Sequence, residues 1–215
     1  MSESNKNPLD SLDKEIKIDN LFSIPFVQYK VKNSEDLNRD LKEIILKKEK
    51  ETPTTKKSNQ GGWQSEGDFF RWGGQSIEKL QSIFMKVIET STAKLDFVET
   101  IPMDFHIYGW ANINRKGHSN IAHIHPMSTW SGTYYVQAGD EMDMNDCGLF
   151  EALNPNTSHL MSFFPGLLPG EHLVKPKTGM LNLFPSYLRH AVRTYHGNEP
   201  RICVAINANM RIKAP

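Results

Sequence analysis

The sequence predicts an α+β fold in which two amphipathic helices in the N-terminal half are followed by an antiparallel double-sheet roll, the jelly-roll arrangement. Apolar residues recur at helical spacing in two segments before about residue 96, and after it the period falls to two in short runs bounded by Gly, Pro, Asn and Asp. No helical repeat of useful length returns beyond that point. With 215 residues the chain suits one domain with a sizeable core and, by default, one active centre.

Residues 1–18 are polar and charged and are expected to be a flexible tail, leaving 19–215 as a single domain, helical to about 96 and β from about 97 to 212. LFSIPFVQYKV carries Pro25, which suits an edge strand because proline cannot donate to a ladder. NSEDLNRDLKEIILKKEKE begins with Asn33 or Ser34 as cap and places Leu37, Leu41, Ile44 and Ile45 on one helical face. Its late lysines, Lys47, Lys48 and Lys50, suit the helix dipole and read as a solvated face. The stretch 51–74 is dense in Gly, Thr and Ser yet holds Trp63, Phe69, Phe70 and Trp72, so it covers either the core or a site entrance, with core cover favoured. QSIEKLQSIFMKVIETSTAKLD sets Ile77, Leu80, Phe84, Val87 and Ile88 on a packing stripe. The strand-like runs come next: MDFHIYGWANIN, AHIH, WSGTYYVQA, CGLFEAL, EHLVKP, MLNLF, HAVRTY and RICVAINANMRI. Between two of them lies the Pro/Gly-rich stretch LNPNTSHLMSFFPGLLPGEH, long enough to shape access to a site.

Charge and cysteine usage exclude several classes. The 25 Lys and Arg balance the 25 Asp and Glu, so nothing global calls for nucleic acid or an anionic membrane. Cys147 and Cys203 are far apart and lack metal-ligand spacing, which fits reduced thiols inside a cell. No signal-peptide core and no membrane-spanning run is present, so a cytoplasmic location is expected; a homodimer is compatible with the sequence. No P-loop, dinucleotide fingerprint or nucleophile elbow appears.

The chemistry concentrates in WANINRKGHSNIAHIHPMSTWSGTYYV and in two later runs, LNLFPSYLRHAV and RICVAIN. His123 and His125, two apart in a strand-like run, project from the same face and can grip one metal ion, with His190 in LNLFPSYLRHAV as a third ligand. A single strand histidine is more often a satisfied core residue, but the pair together with a third favours ligands. Arg201 opens the apolar run RICVAIN; pointing inward it needs an anionic partner such as a carboxylate, pointing outward it merely meets solvent. Asn112, Ser131 and Thr133 are candidates to line the same pocket, whereas His106, His118, His159, His172 and His196 read as surface and Met127, Met161 and Met180 as packing or pocket walls.

Taken together, His123-Ile124-His125-Pro126, the run Trp130 to Val136, Phe184-Pro185-Ser186 before His190, and Arg201 to Asn207 resemble the 2-oxoglutarate/Fe(II)-dependent oxygenases of bacteria and their phages, distant relatives of the prolyl hydroxylases. The resemblance covers about residues 108–210, and weakly Gly61 to Trp63. It implies a double-stranded β-helix, Fe(II) as metal and 2-oxoglutarate as a small-molecule cosubstrate, with hydroxylation of a peptidyl residue or small molecule and release of succinate and CO2. His123, His125 and His190 match the metal positions, Arg201 the partner of the cosubstrate's far carboxylate, and Tyr135 a pocket tyrosine. A phage-encoded copy would act in the host cytoplasm. One departure stands out, because the second ligand position usually holds Asp or Glu and here holds His125, either as a third neutral ligand or just behind the ligands. Two rivals remain: a three-histidine, cupin-like dioxygenase that needs no cosubstrate and has no use for Arg201, and a non-catalytic β-roll binding protein.

Overall fold

The computed structural model describes residues 22–95, 103–140, 146–156 and 169–212. The tail 1–18, His159, Met161 and most of the Pro/Gly-rich stretch lie outside them. The described residues of the chain are mostly β with two α-helices, α1 (Glu35–Glu51) and α2 (Gln75–Ala93). Its strands are β1 (Val27–Lys30), β2 (Asn59–Gln60), β3 (Trp63–Gln64), β4 (Met103–Asn114), β5 (Ser119–His123), β6 (Trp130–Gln137), β7 (Phe150–Leu153), β8 (Glu171–Val174), β9 (Met180–Pro185), β10 (His190–Val192) and β11 (Arg201–Ile212). They form two antiparallel sheets: a six-stranded one in the order β1-β9-β6-β11-β4-β3 and a five-stranded one in the order β2-β5-β10-β7-β8.

The period-two pattern of the long strands explains why the six-stranded sheet is covered on both faces. On β11, Ile202, Val204, Ile206 and Ala208 join a large apolar cluster with Leu37, Leu41 and Ile45 of α1 and Ile77, Leu80, Phe84 and Ile88 of α2. The intervening residues Arg201, Cys203 and Ala205 face a cavity instead. On β6 the Tyr134 hydroxyl donates to Asn38 Oδ1 at 2.6 Å and the Trp130 indole to Thr92 Oγ1 at 3.0 Å, while Thr133 and Tyr135 line the cavity. A smaller cluster, including Tyr135, Phe150, Met180, Phe184 and Cys203, fills the rest of the space between the sheets. Burying both faces of β6 is what makes WSGTYYV read as almost wholly apolar or small. Gly132 belongs to the same logic, because a Cβ there would come within 2.7 Å of the Asn182 carbonyl oxygen of β9.

Several elements differ in detail from expectation. Pro25 precedes an edge strand that begins only at Val27 and pairs with β9. Ser34 occupies the cap position of α1, but its hydroxyl accepts from the Asn38 side-chain amide rather than capping a backbone N–H. The aromatics of 51–74 do cover core, with Phe69 and Trp63 buried in the large cluster. The same stretch also forms the two short strands β2 and β3, which the sequence did not announce, and its polar residues Thr55, Lys57 and Ser58 line the cavity. Met127 is a correction: it is 95 % exposed with φ of 66° and packs against nothing, because it sits at the tip of the turn after His125. His118 also departs from a free surface residue, since its ring lies against the Gly61 backbone and its Nδ1 accepts from the Arg115 N–H.

Candidate metal and cosubstrate site

His123 ends β5 and His190 begins β10, and the antiparallel register sets these two residues directly opposite one another. His125 lies just beyond β5, where its backbone N–H donates to the Ser186 carbonyl at 3.0 Å and ties the HPMS turn to the FPSY turn. The three rings thereby converge, with candidate ligand nitrogens all within 4.8 Å of one another, a group that could hold one metal ion. His125 Nε2 and His190 Nε2 stand 3.3 Å apart. Their approach is oriented from behind: Nδ1 of His190 is 2.8 Å from the Leu188 carbonyl and Nδ1 of His123 is 2.8 Å from the Ile121 carbonyl. A carbonyl can only accept, so each Nδ1 carries the proton and each Nε2 presents a lone pair to the shared centre.

The surroundings keep these imidazoles neutral. Phe150 stacks on His190 with centroids 5.2 Å apart, Phe184 meets it edge-on at 4.8 Å, and Trp110 lies 5.6 Å from His125. Burial, reinforced by charge on His123, holds His190 down at about 3. Burial and the same neighbour hold His125 at about 4, and burial lowers His123 against the pull of the Ile121 carbonyl. All three are therefore neutral near pH 7, each with one ring nitrogen unprotonated, as metal ligands must be.

The cavity that the triad opens into has a volume of about 680 Å³ and runs between the sheets to Arg201. Arg201 is only 2 % exposed, yet among the described residues its Nε finds no acceptor and its Nη1 reaches only Cys203 Sγ at 3.8 Å, while its guanidinium sits 5.1 Å from the Tyr135 ring centroid. Gly148, in the left-handed region at φ 58°, lies in the loop before β7 against Tyr195 and Arg201, and a Cβ there would come within 3.0 Å of Tyr195 Cδ2. The Tyr135 hydroxyl is also buried without a hydrogen bond, and burial pushes its pKa up to about 12 against the pull of Arg201. A third buried donor beside it, Asn182 Nδ2, is equally unpartnered. Asn182 carried no signal in the sequence because only the β6–β9 register, Thr133 opposite Asn182, brings it to this corner. Asn112 lines the cavity from β4.

Arg201 Nε and the Tyr135 hydroxyl, both on cavity-lining residues and without an acceptor among the described residues, are donors suited to an acceptor-only anion such as a carboxylate. At the other end three neutral nitrogens suit a first-row divalent metal, iron included. A two-sheet β-roll with such a cavity defines a class of metal-dependent enzyme scaffold. Residues 108–207, the β part that carries the three histidines and ends on the arginine strand, match the 2OG-Fe(II) oxygenase family. Among curated proteins no match was found. Solved structures similar in fold include a prolyl-4-hydroxylase of Pseudomonas putida, at 16 % identity over 96 % of this chain and 97 % of that one with a TM-score of 0.60. A prolyl hydroxylase of Trichoplax adhaerens, in complex with a hypoxia inducible factor peptide fragment, has 12 % identity over 86 % and 83 % and a TM-score of 0.63. HygX of Streptomyces hygroscopicus, with nickel and 2-oxoglutarate bound, has 10 % identity over 86 % and 83 % and a TM-score of 0.58.

Proposed function

We propose that His123, His125 and His190 hold the iron, that Arg201 and Tyr135 receive the far carboxylate of 2-oxoglutarate with Asn112 as a wall, and that the enzyme hydroxylates a peptidyl residue or a small molecule. The observation that carries this reading is the buried Arg201, whose guanidinium meets no carboxylate among the described residues, lining a cavity on which three neutral imidazoles converge. When bound, iron and 2-oxoglutarate supply dioxygen activation coupled to oxidative decarboxylation, with succinate and CO2 as products. The chain's own part is binding and exclusion. The carbonyls of Ile121 and Leu188 aim the His123 and His190 lone pairs, and Phe150 and Phe184 keep water from that side. Arg201 and Tyr135 take the carboxylate at a dry end where each hydrogen bond counts for more than in water.

His125 stands where a carboxylate would bring a negative charge, so iron here keeps its full positive charge and depends more on the anionic cosubstrate for neutralisation. We read the two helices as the backing of the six-stranded sheet in a double-stranded β-helix, residues 19–215 as one oxygenase domain and 1–18 as a tail, acting in the cytoplasm.

The test is anaerobic addition of Fe(II) and then 2-oxoglutarate to metal-free protein. The expected result is a weak visible charge-transfer band that is lost in His123→Ala and His190→Ala. Iron binding with no band and no effect of Arg201→Ala would favour a cosubstrate-free three-histidine dioxygenase; no iron binding at all would favour a binding protein.

A further inference from the structure

The lone pair of His123 that a metal would use is already engaged. Ser58, on the 51–74 stretch, places its Oγ 3.4 Å from His123 Nε2. Because Nδ1 of His123 donates to the Ile121 carbonyl, Nε2 can only accept, and the Ser58 hydroxyl must be the donor. The hydroxyl oxygen is itself held from behind. Asn120 Nδ2 donates to Ser58 Oγ at 3.3 Å, and Asn120 Oδ1 accepts from Asn114 Nδ2 at 3.2 Å. Asn114 is 2 % exposed, so the relay is anchored in the interior and runs in one direction, from Asn114 through Asn120 and Ser58 to His123. The backbone fixes the same contact: the Ile121 N–H donates to the Ser58 carbonyl at 2.9 Å, and Asn59 of β2 pairs with Asn120 of β5. Ser58, His123 and Asn120 all line the cavity.

We propose that Ser58 is a positioning residue that caps the metal-binding lone pair of His123 in the metal-free protein and is freed, when metal takes that lone pair, as a hydrogen-bond donor to an oxygen-bearing ligand in the cavity. The inference rests on His123 being a metal ligand. The cap has two consequences. In the empty site it satisfies the Nε2 lone pair, whose tautomer the Ile121 carbonyl has already fixed, and so competes with a metal for it. In the loaded site the oxygen of Ser58 stays anchored by Asn120 while its proton loses its acceptor, which leaves one O–H for a carbonyl or hydroxyl oxygen of the cosubstrate or substrate.

Capping and support predict opposite signs. A supporting residue, once deleted, weakens metal binding; a competing cap, once deleted, strengthens it. Metal-free protein is titrated with Co(II), which reports binding through its visible spectrum without turnover. Ser58→Ala and Ser58→Gly should each bind Co(II) about two- to fivefold more tightly than the parent, the range expected for losing one long neutral hydrogen bond from the empty state. Ser58→Thr, which keeps the hydroxyl, should stay close to the parent. Unchanged or weaker binding in both hydroxyl-free variants, with far-UV circular dichroism intact, overturns the cap. Failure of the parent to bind Co(II), or binding that survives His123→Ala, instead overturns the metal-site reading beneath it.

Discussion

The two ends of the cavity are built on opposite hydrogen-bond economies. At the histidine end the groups that face away from the centre are satisfied: His123 and His190 donate to carbonyls of their own strands' approaches, and Ser58 occupies the free nitrogen of His123. At the arginine end Arg201 Nε, the Tyr135 hydroxyl and Asn182 Nδ2 are buried and satisfied by nothing among the described residues. Leaving a buried donor unpaired costs on the order of 1–3 kcal/mol, and more for a charged one. The histidine end therefore has its outer nitrogens held by the protein while empty, whereas the arginine end carries a cost that an acceptor, and best of all an anion, relieves. A site of this kind gains specificity for its cosubstrate from the end that is strained without it.

Substitutions that remove one end at a time break the comparison most sharply. His190→Ala deletes the most buried of the three ligands, and metal affinity should fall by at least about a hundredfold, more than disturbing an outer partner of a ligand costs. Thermal unfolding of the metal-free variant should also shift down, since Phe150 and Phe184 lose the ring they pack against. Arg201→Met should do the reverse to stability. Affinity for 2-oxoglutarate, measured by calorimetry on the metal-loaded protein, should drop about a hundredfold or more, because hydrogen bonds to charged groups are worth roughly 1.5–3 kcal/mol each and a guanidinium makes two. Yet the metal-free Tm should hold or rise, since an unpaired buried charge is gone. Tyr135→Phe is the smaller version, with 2-oxoglutarate binding weaker by about tenfold and Tm not lowered. A fall in Tm for both Arg201→Met and Tyr135→Phe would mean that these donors are not strained in the empty protein.

Different features of this arrangement were legible in the sequence to different degrees. The strands could be read because each long one alternates, as in Arg201, Cys203 and Ala205 against Ile202, Val204 and Ile206. His123, His125, His190 and Arg201 could be singled out because imidazole pairs and a lone arginine in an apolar run are chemically unusual. Asn182 and Ser58 could not. Each is a single polar residue whose meaning depends on what lies across a register, Asn182 opposite Thr133 and Ser58 beside the Asn59–Asn120 pair, and register between distant strands leaves no local mark. The strands β2 and β3 were hidden for a related reason, being two residues each and held by β5 and β4 rather than by their own propensity.

The smallest effect expected concerns protons, and it separates the two ends once more. His125 at about 4 and His190 at about 3 lie below the 6.5 of an ordinary imidazole, with burial as the main cause in both. Between those values the unfolded chain takes up protons that the folded chain refuses. Metal-free stability is therefore complete above about pH 6.5 and is lost progressively as the pH falls toward the folded values. Metal binding behaves differently, because in the folded protein these ligands need shed no proton until the pH nears 4. Co(II) affinity should fall less steeply between about pH 7.5 and pH 5.5 than it would for ligands titrating near 6.5, each of which would cost about tenfold per unit below it. The Tm of the metal-free protein should fall over the same interval. A steep loss of Co(II) affinity alongside an unmoved Tm would show that the triad is solvated, and that the wall formed by Phe150, Phe184 and Trp110 does not shield it.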